Sequence, residues 1–316
     1  MLLDVQNLSL RIGKLGLLDD LSFQLDRGEV LGLVGESGSG KSLTATALIG
    51  LHPHIGAEIT EGRILFDGQD LRGLPEAQYR ALRGKRIAFI TQNPMSALDP
   101  LKTIGDQVDQ VGRLHLGLSK TAARAHSVEI LSRLRIPEAA TVTNAYPHHL
   151  SGGMKQRVVI AMALAANADL IIADEPTTAL DVTVQAQIIL ILGELVREQN
   201  IGLIMITHDM GVVAQICDRY CVLYAGRVAE QGPVGQIFTA PRHPYSAALI
   251  SCIPREGMAP GSLRGIPGTV PSALQFRNDC CRFAPRCPRA SSLCESQRPP
   301  LRDGFACHHP LEEIPA

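Results

Sequence analysis

The stretch that most constrains this chain is Gly35-Glu36-Ser37-Gly38-Ser39-Gly40-Lys41-Ser42. It follows the apolar run Val30-Leu31-Gly32-Leu33-Val34 and opens a helical pattern from Lys41 to about Leu51, which gives strand, glycine loop and helix in order. In the pattern G-x-x-x-x-G-K-S/T, the glycines let backbone amides wrap a phosphate with no Cβ in the way. The lysine places a point charge between the β- and γ-phosphates, and the serine offers its hydroxyl to Mg²⁺. All eight residues, Gly35, Glu36, Ser37, Gly38, Ser39, Gly40, Lys41 and Ser42, are therefore expected to cradle a nucleoside triphosphate, with Ser42 also a metal ligand. A chain built this way is α/β, with the loop at the carboxyl end of a buried strand.

The rest of a triphosphate site is legible farther on. Asp169-Leu170-Ile171-Ile172-Ala173-Asp174-Glu175 is a short buried strand ending in paired carboxylates. Asp174 is expected to hold Mg²⁺ through water and Glu175 to polarise the attacking water. Gln92 ends the apolar run Ile87-Ala88-Phe89-Ile90-Thr91, and His208 ends Leu203-Ile204-Met205-Ile206-Thr207. Ligands gather at the carboxyl ends of parallel strands, so Gln92, Asp174, Glu175 and His208 are expected to converge on one γ-phosphate. A second glycine-rich start, Ser151-Gly152-Gly153, precedes another helix and exposes backbone N–H groups at its positive end.

Taken in order, these motifs resemble the nucleotide-binding subunits of ABC transporters over nearly all of residues 1–232. The loop resembles their Walker A motif, Gln92 the Q-loop, Leu150-Ser151-Gly152-Gly153-Met154 the signature, and Leu170–Glu175 Walker B. Ala179-Leu180-Asp181 resembles the D-loop and His208 the switch histidine. The resemblance implies the mixed sheet core, antiparallel β subdomain and helical subdomain (about 93–160) of that cassette. It further implies that two cassettes pack head to tail. Ser151, Gly152 and Gly153 of one then close on ATP held by the other, with Asp181 across the interface and Gln92 also near Mg²⁺. The segment Asn93–Pro100 would form the groove that takes a coupling helix from a membrane subunit. One position departs: Ile12 stands where the family usually stacks an aromatic on adenine.

Composition changes after Gly232, because thirteen of the twenty prolines lie at or beyond Pro233. Five of eight cysteines, Cys280, Cys281, Cys287, Cys294 and Cys307, crowd the C-terminal end of this tail, and such a cluster reads as a metal site more readily than as disulfides. The tail, 233–316, resembles the C-terminal extension of the di- and oligopeptide permease ATPases, a group that includes nickel and glutathione importers. Cys281, Cys287, Cys294 and Cys307 match that group's pattern, which implies a 4Fe–4S cluster; four thiolates would also suit zinc. Cys280 is a bystander, Cys217, Cys221 and Cys252 are core thiols, and His243-Pro244-Tyr245 is a packing element.

A net charge of −1 argues against nucleic acid as a partner, and no apolar run is long enough to cross a bilayer. The expected protein is an ATPase at the cytoplasmic face of the inner membrane that drives uptake of short peptides. Its expected partners are a second ATPase in a heterodimer, two transmembrane permeases and an extracytoplasmic solute-binding protein. The alternatives weighed are import of a nickel chelate or glutathione, a soluble ABC ATPase of translation or repair, and a non-hydrolysing half of a heterodimer. The presence of both Glu175 and His208 argues against the last.

Overall fold

The structure is a computed structural model that describes residues 1–177, 182–254, 257–258 and 265–312. The chain folds as two units. One comprises residues 1–25, 30–73 and 206–316, and the other 26–29 and 74–205.

The first unit contains β1 (Leu3–Ile12), β2 (Leu15–Leu25), β3 (Val30–Val34), α1 (Lys41–Leu48), β4 (Ala57–Phe66) and β5 (Gln69–Asp70). The long pair β1 and β2 alternates buried and exposed residues, as a half-buried antiparallel ribbon must, and β4 pairs with the other edge of β1. Sequence reading takes 21–33 as one strand. The chain instead breaks at Asp26–Glu29, with Gly28 at φ +72°, and restarts as the fully buried β3. β3 runs parallel to β9 (Arg219–Tyr224), which is joined in a hairpin to β10 (Arg227–Pro233).

The second unit holds β6 (Ile87–Ile90), β7 (Leu170–Asp174) and the first four residues of β8 (Gly202–Thr207), with β7 between the other two and parallel to β6. Its helices are α2 (Glu76–Leu82), α3 (Pro94–Ala97), α4 (Ile104–Leu116), α5 (Lys120–Arg133), α6 (Ala139–Val142), α7 (Gly152–Leu164) and α8 (Val182–Glu198). The helical subdomain expected over about 93–160 is thus broken into separate helices. Thr103 and Ser119 cap α4 and α5 by accepting from the N–H of Asp106 and Ala122, and Gly117 ends α4 at φ +69°. Asp169, just before β7, receives Arg27 and Arg86 at 2.6 Å each. Burial alone would raise its pKa, but the two guanidiniums override this and hold it low.

Residues 206–316 belong to the first unit and carry α9 (Met210–Ile216), then, in the C-terminal region, α10 (Val234–Thr239), α11 (Pro244–Ser251) and α12 (Ser292–Ser296). Three arginines, Arg227, Arg282 and Arg298, converge on Asp19 of β2 at 2.7 to 3.1 Å. Burial pushes the Asp19 pKa up, yet the Arg227 hydrogen bond and the surrounding guanidinium charge leave it below the ordinary value. A second node is the buried carboxylate of Glu230, which accepts from the Tyr220 hydroxyl and from the N–H groups of Arg242 and His243.

His243-Pro244-Tyr245 is a packing element, as its sequence suggests. His243 is buried at the N-cap of α11 and accepts the Tyr245 N–H through Nδ1, with Pro244 in the first turn. Burial lowers its pKa to about 4 from 6.5. The unfolded chain therefore takes up this proton first, so the contribution is intact above 6.5 and lost as pH falls toward about 4. A loss of up to roughly 3 kcal/mol is expected. Thermal melts of His243→Asn, which keeps a capping acceptor, should show a flatter decline over that window than the parent.

Candidate functional site

Within the first unit, β3 runs into a loop whose glycines take left-handed angles: Gly35 at φ +149°, Gly38 at +79° and Gly40 at +109°. A Cβ on Gly35 would lie 2.3 Å from the Leu223 carbonyl oxygen, and one on Gly40 would lie 2.7 Å from Leu18 Cδ2. Glycine is needed at both for angle and for space. Gly40 caps α1, so the loop ends at the positive end of that helix. Lys41 is 6% exposed and turns its ammonium back on the loop, donating to the carbonyls of Gly35 at 2.7 Å and Glu36 at 3.0 Å. Ser42 is exposed beside it, and the Ser39 carbonyl accepts the Gly226 N–H. His208, also in this unit, is exposed immediately after β8, and Asp209 caps α9.

Within the second unit the ends of β6 and β7 come together. The Gln92 side-chain amide donates to a Glu175 carboxylate oxygen at 2.9 Å. Glu175 sits at φ +46°, a left-handed angle that a non-glycine residue holds only where its surroundings enforce it. Asp174 is the last residue of β7. Ser151 is the N-cap of α7, its hydroxyl accepting the Met154 N–H, and Gly152 and Gly153 form the first turn. A Cβ on Gly153 would meet Val184 Cγ1 at 2.8 Å, which requires a small residue there. Asp181 and the rest of the D-loop segment lie outside the described residues. Ile12 ends β1, opposite Leu15 and Ala57.

The metal site expected in the tail is not assembled in the structure: among the described residues, no group of three or more His, Cys, Asp or Glu is placed to hold a metal ion. Burial raises the thiol of Cys281 to about 11, and the nearby Cys294 and Cys307 add to this. Cys287 and Cys307 are raised for the same two reasons. These four are thus neighbours in the tail without forming, among the described residues, a group placed round a single ion. Cys280 is buried with its carbonyl bonded to Arg227, Cys217 and Cys221 are core thiols, and Cys252 is only half-buried.

Three features escape sequence reading: the Glu230 node, the three-arginine anchor on Asp19, and a contact of the tail on the phosphate loop. The last joins Arg286 to Glu36. Of these, the Glu230 node touches a motif singled out in the sequence, through the N–H of His243 in His-Pro-Tyr.

A parallel-strand nucleotide fold with this loop and these strand-end polar groups defines an ATP-binding cassette. The comparisons agree with that class. Residues 18–178 match the ABC transporter family, and residues 229–294 match the C-terminal region of oligopeptide/dipeptide transporters. The chain is 47% identical over 312 residues to the oligopeptide transport ATP-binding protein OppD of Salmonella typhimurium, covering 96% of this chain and 90% of that protein. It is 43% identical over 321 residues to the dipeptide transport ATP-binding protein DppD of Escherichia coli, covering 99% and 98%. A solved dimeric ATP-binding cassette, in a post-hydrolysis state with ADP and Pi, superposes at a TM-score of 0.65 with 28% identity, covering 73% of this chain and 98% of that one. The chain belongs to the ABC transporter ATP-binding family and is an ATPase of that family.

Proposed function

We propose that this chain is the ATP-hydrolysing subunit of an importer that carries di- and oligopeptides across the inner membrane. The observation that carries the proposal is the joining, in one chain, of an ABC cassette to the C-terminal region of oligopeptide/dipeptide transporters. The named relatives, oligopeptide and dipeptide transport ATP-binding proteins, support the same substrate class. No helix among the described residues is long and apolar enough to span a membrane. In the proposed importer the subunit acts from the cytoplasmic face, bound to two permeases and served by an extracytoplasmic binding protein. We divide the chain at Gly232 into cassette and extension.

The proposed roles follow from the chemistry of each group. The loop amides from Gly35 to Ser42 and the Lys41 ammonium bind the β- and γ-phosphates, while Glu175 accepts a proton from the attacking water. Gln92 holds the Glu175 carboxylate, and His208 bonds the γ-phosphate. Mg²⁺ neutralises phosphate charge when bound; the hard oxygen donors Ser42, Gln92 and Asp174 suit it. Ser151, Gly152 and Gly153 present N–H groups to ATP held by a second ATPase, the partner in a heterodimer, with Asp181 at the shared interface. The dimeric form of the solved cassette supports this arrangement. Leu101, beside the segment after Gln92 and 86% exposed, is a suitable apolar contact for a permease helix.

For the tail, Cys281, Cys287, Cys294 and Cys307 are soft thiol donors that could take a 4Fe–4S cluster or zinc, and their spacing, which lacks the short C-x2-C loops of zinc ribbons, favours the cluster. Anaerobic purification should give brown protein with iron and sulfide, lost when the four cysteines become serine. Colourless or zinc-loaded protein would refute this. The substrate class is tested by reconstituting the transporter in vesicles: peptide uptake that requires ATP is expected, whereas uptake of nickel chelate or glutathione alone would overturn it.

A further inference from the structure

The C-terminal region grips the phosphate loop at one residue. Arg286 ends a single 3₁₀ turn, Ala284–Arg286, set between Cys281 and Cys287. Its Nη1 and Nη2 donate to the two carboxylate oxygens of Glu36 at 2.7 and 3.0 Å. The guanidinium is itself fixed. Nε donates to the Pro267 carbonyl at 2.8 Å, Nη2 to that of Ile266 at 3.2 Å and Nη1 to the Tyr224 hydroxyl at 3.4 Å. The Arg286 side chain is 4% exposed and that of Glu36 29%, so the fork is shielded from solvent at its arginine end. A second contact acts on the backbone of the same residue: the Glu36 N–H donates to the hydroxyl of Tyr245 at 2.9 Å. Tyr245 is fully buried in α11, packed against Tyr224 and Phe283.

Glu36 lies next to Gly35, and its carbonyl is one of the two that hold the Lys41 ammonium. A loop with three left-handed glycines has much conformational freedom to lose on closing round a phosphate. A planar bidentate fork on its second residue restricts that freedom before any ligand arrives.

We infer that Arg286 and Tyr245 are positioning residues of the nucleotide site: by fixing Glu36 they hold the phosphate loop and Lys41 ready, so the C-terminal region sets the ATP affinity of the cassette it follows. This rests on reading Gly35–Ser42 as the phosphate loop. Neither residue need touch the nucleotide; each acts through Glu36.

The test is MgATP titration of the full chain by calorimetry, with the steady-state KM and kcat of the assembled transporter measured alongside. Arg286→Gln and Glu36→Gln should each weaken ATP binding about tenfold, the scale of one charge-assisted pair. The double variant should be no weaker than either alone, because both remove one interaction. Tyr245→Phe, which keeps the ring and removes only the acceptor, should weaken binding a fewfold. For Arg286→Gln and Tyr245→Phe, which lie outside the loop, KM should rise and kcat at saturating ATP stay within about twofold, a split that general loss of fold does not give. Should Arg286→Gln unfold the tail, Tyr245→Phe and Glu36→Gln still decide. Unchanged affinity in these variants, or additive losses in the double variant, would overturn the inference while Lys41→Ala still fails to bind. Normal MgATP binding by Lys41→Ala would instead overturn the loop reading on which it stands.

Discussion

Glu175→Gln is expected to bind MgATP and hold it, with turnover lowered by at least about 100-fold. The change is nearly isosteric. The glutamine amide oxygen can still accept from Gln92, whose side chain reaches Glu175 at 2.9 Å, so the local arrangement survives. What disappears is a carboxylate able to take a proton from water. A general base contributes roughly 10²–10⁴ in rate, so this is among the largest single-atom effects the site allows. Steady-state phosphate release from the assembled transporter measures the loss, and nucleotide retained through gel filtration measures the trapping. Turnover near that of the parent would remove Glu175 from its assigned role.

Lys41→Ala is expected to abolish MgATP binding at concentrations that saturate the parent. In the unliganded loop the Lys41 ammonium sits on the Gly35 and Glu36 carbonyls and is almost wholly buried. A triphosphate would exchange those neutral acceptors for charged ones. Charge-assisted hydrogen bonds contribute about 1.5–3 kcal/mol each, so losing the ammonium from two phosphates costs on the order of 100-fold or more in affinity. Calorimetry reads this directly, and an unchanged melting temperature separates it from damage to the loop. Measurable binding at the parent's affinity would contradict the assignment.

What the sequence made legible was local. The phosphate loop, the carboxylates after Leu170–Ala173, and the helix start at Ser151 are each fixed by a few adjacent residues, and each lies on the predicted element. The Gln92–Glu175 contact was also within reach, because both end buried parallel strands and strand ends gather ligands. The break at Asp26–Glu29 was obscured because apolar residues continue on both sides of the turn. The tail was the least legible. Its order comes from single long-range polar contacts, such as Arg298 on Asp19 and Arg286 on Glu36, and no periodic pattern records those. The cysteine spacing pointed to a metal, but spacing alone does not place three ligands round one ion, and no such group is found among the described residues.

The central claim is that each ATP is held by the phosphate loop of one cassette and closed by the signature helix of another. The decisive measurement records ATP hydrolysis per chain and molecular mass by light scattering on the same samples, across a dilution series and with the partner ATPase added. The account predicts that hydrolysis per chain falls as the assembled species dissociates and returns when the partner restores it. Hydrolysis that stays constant down to dilutions at which every chain is a monomer would contradict it.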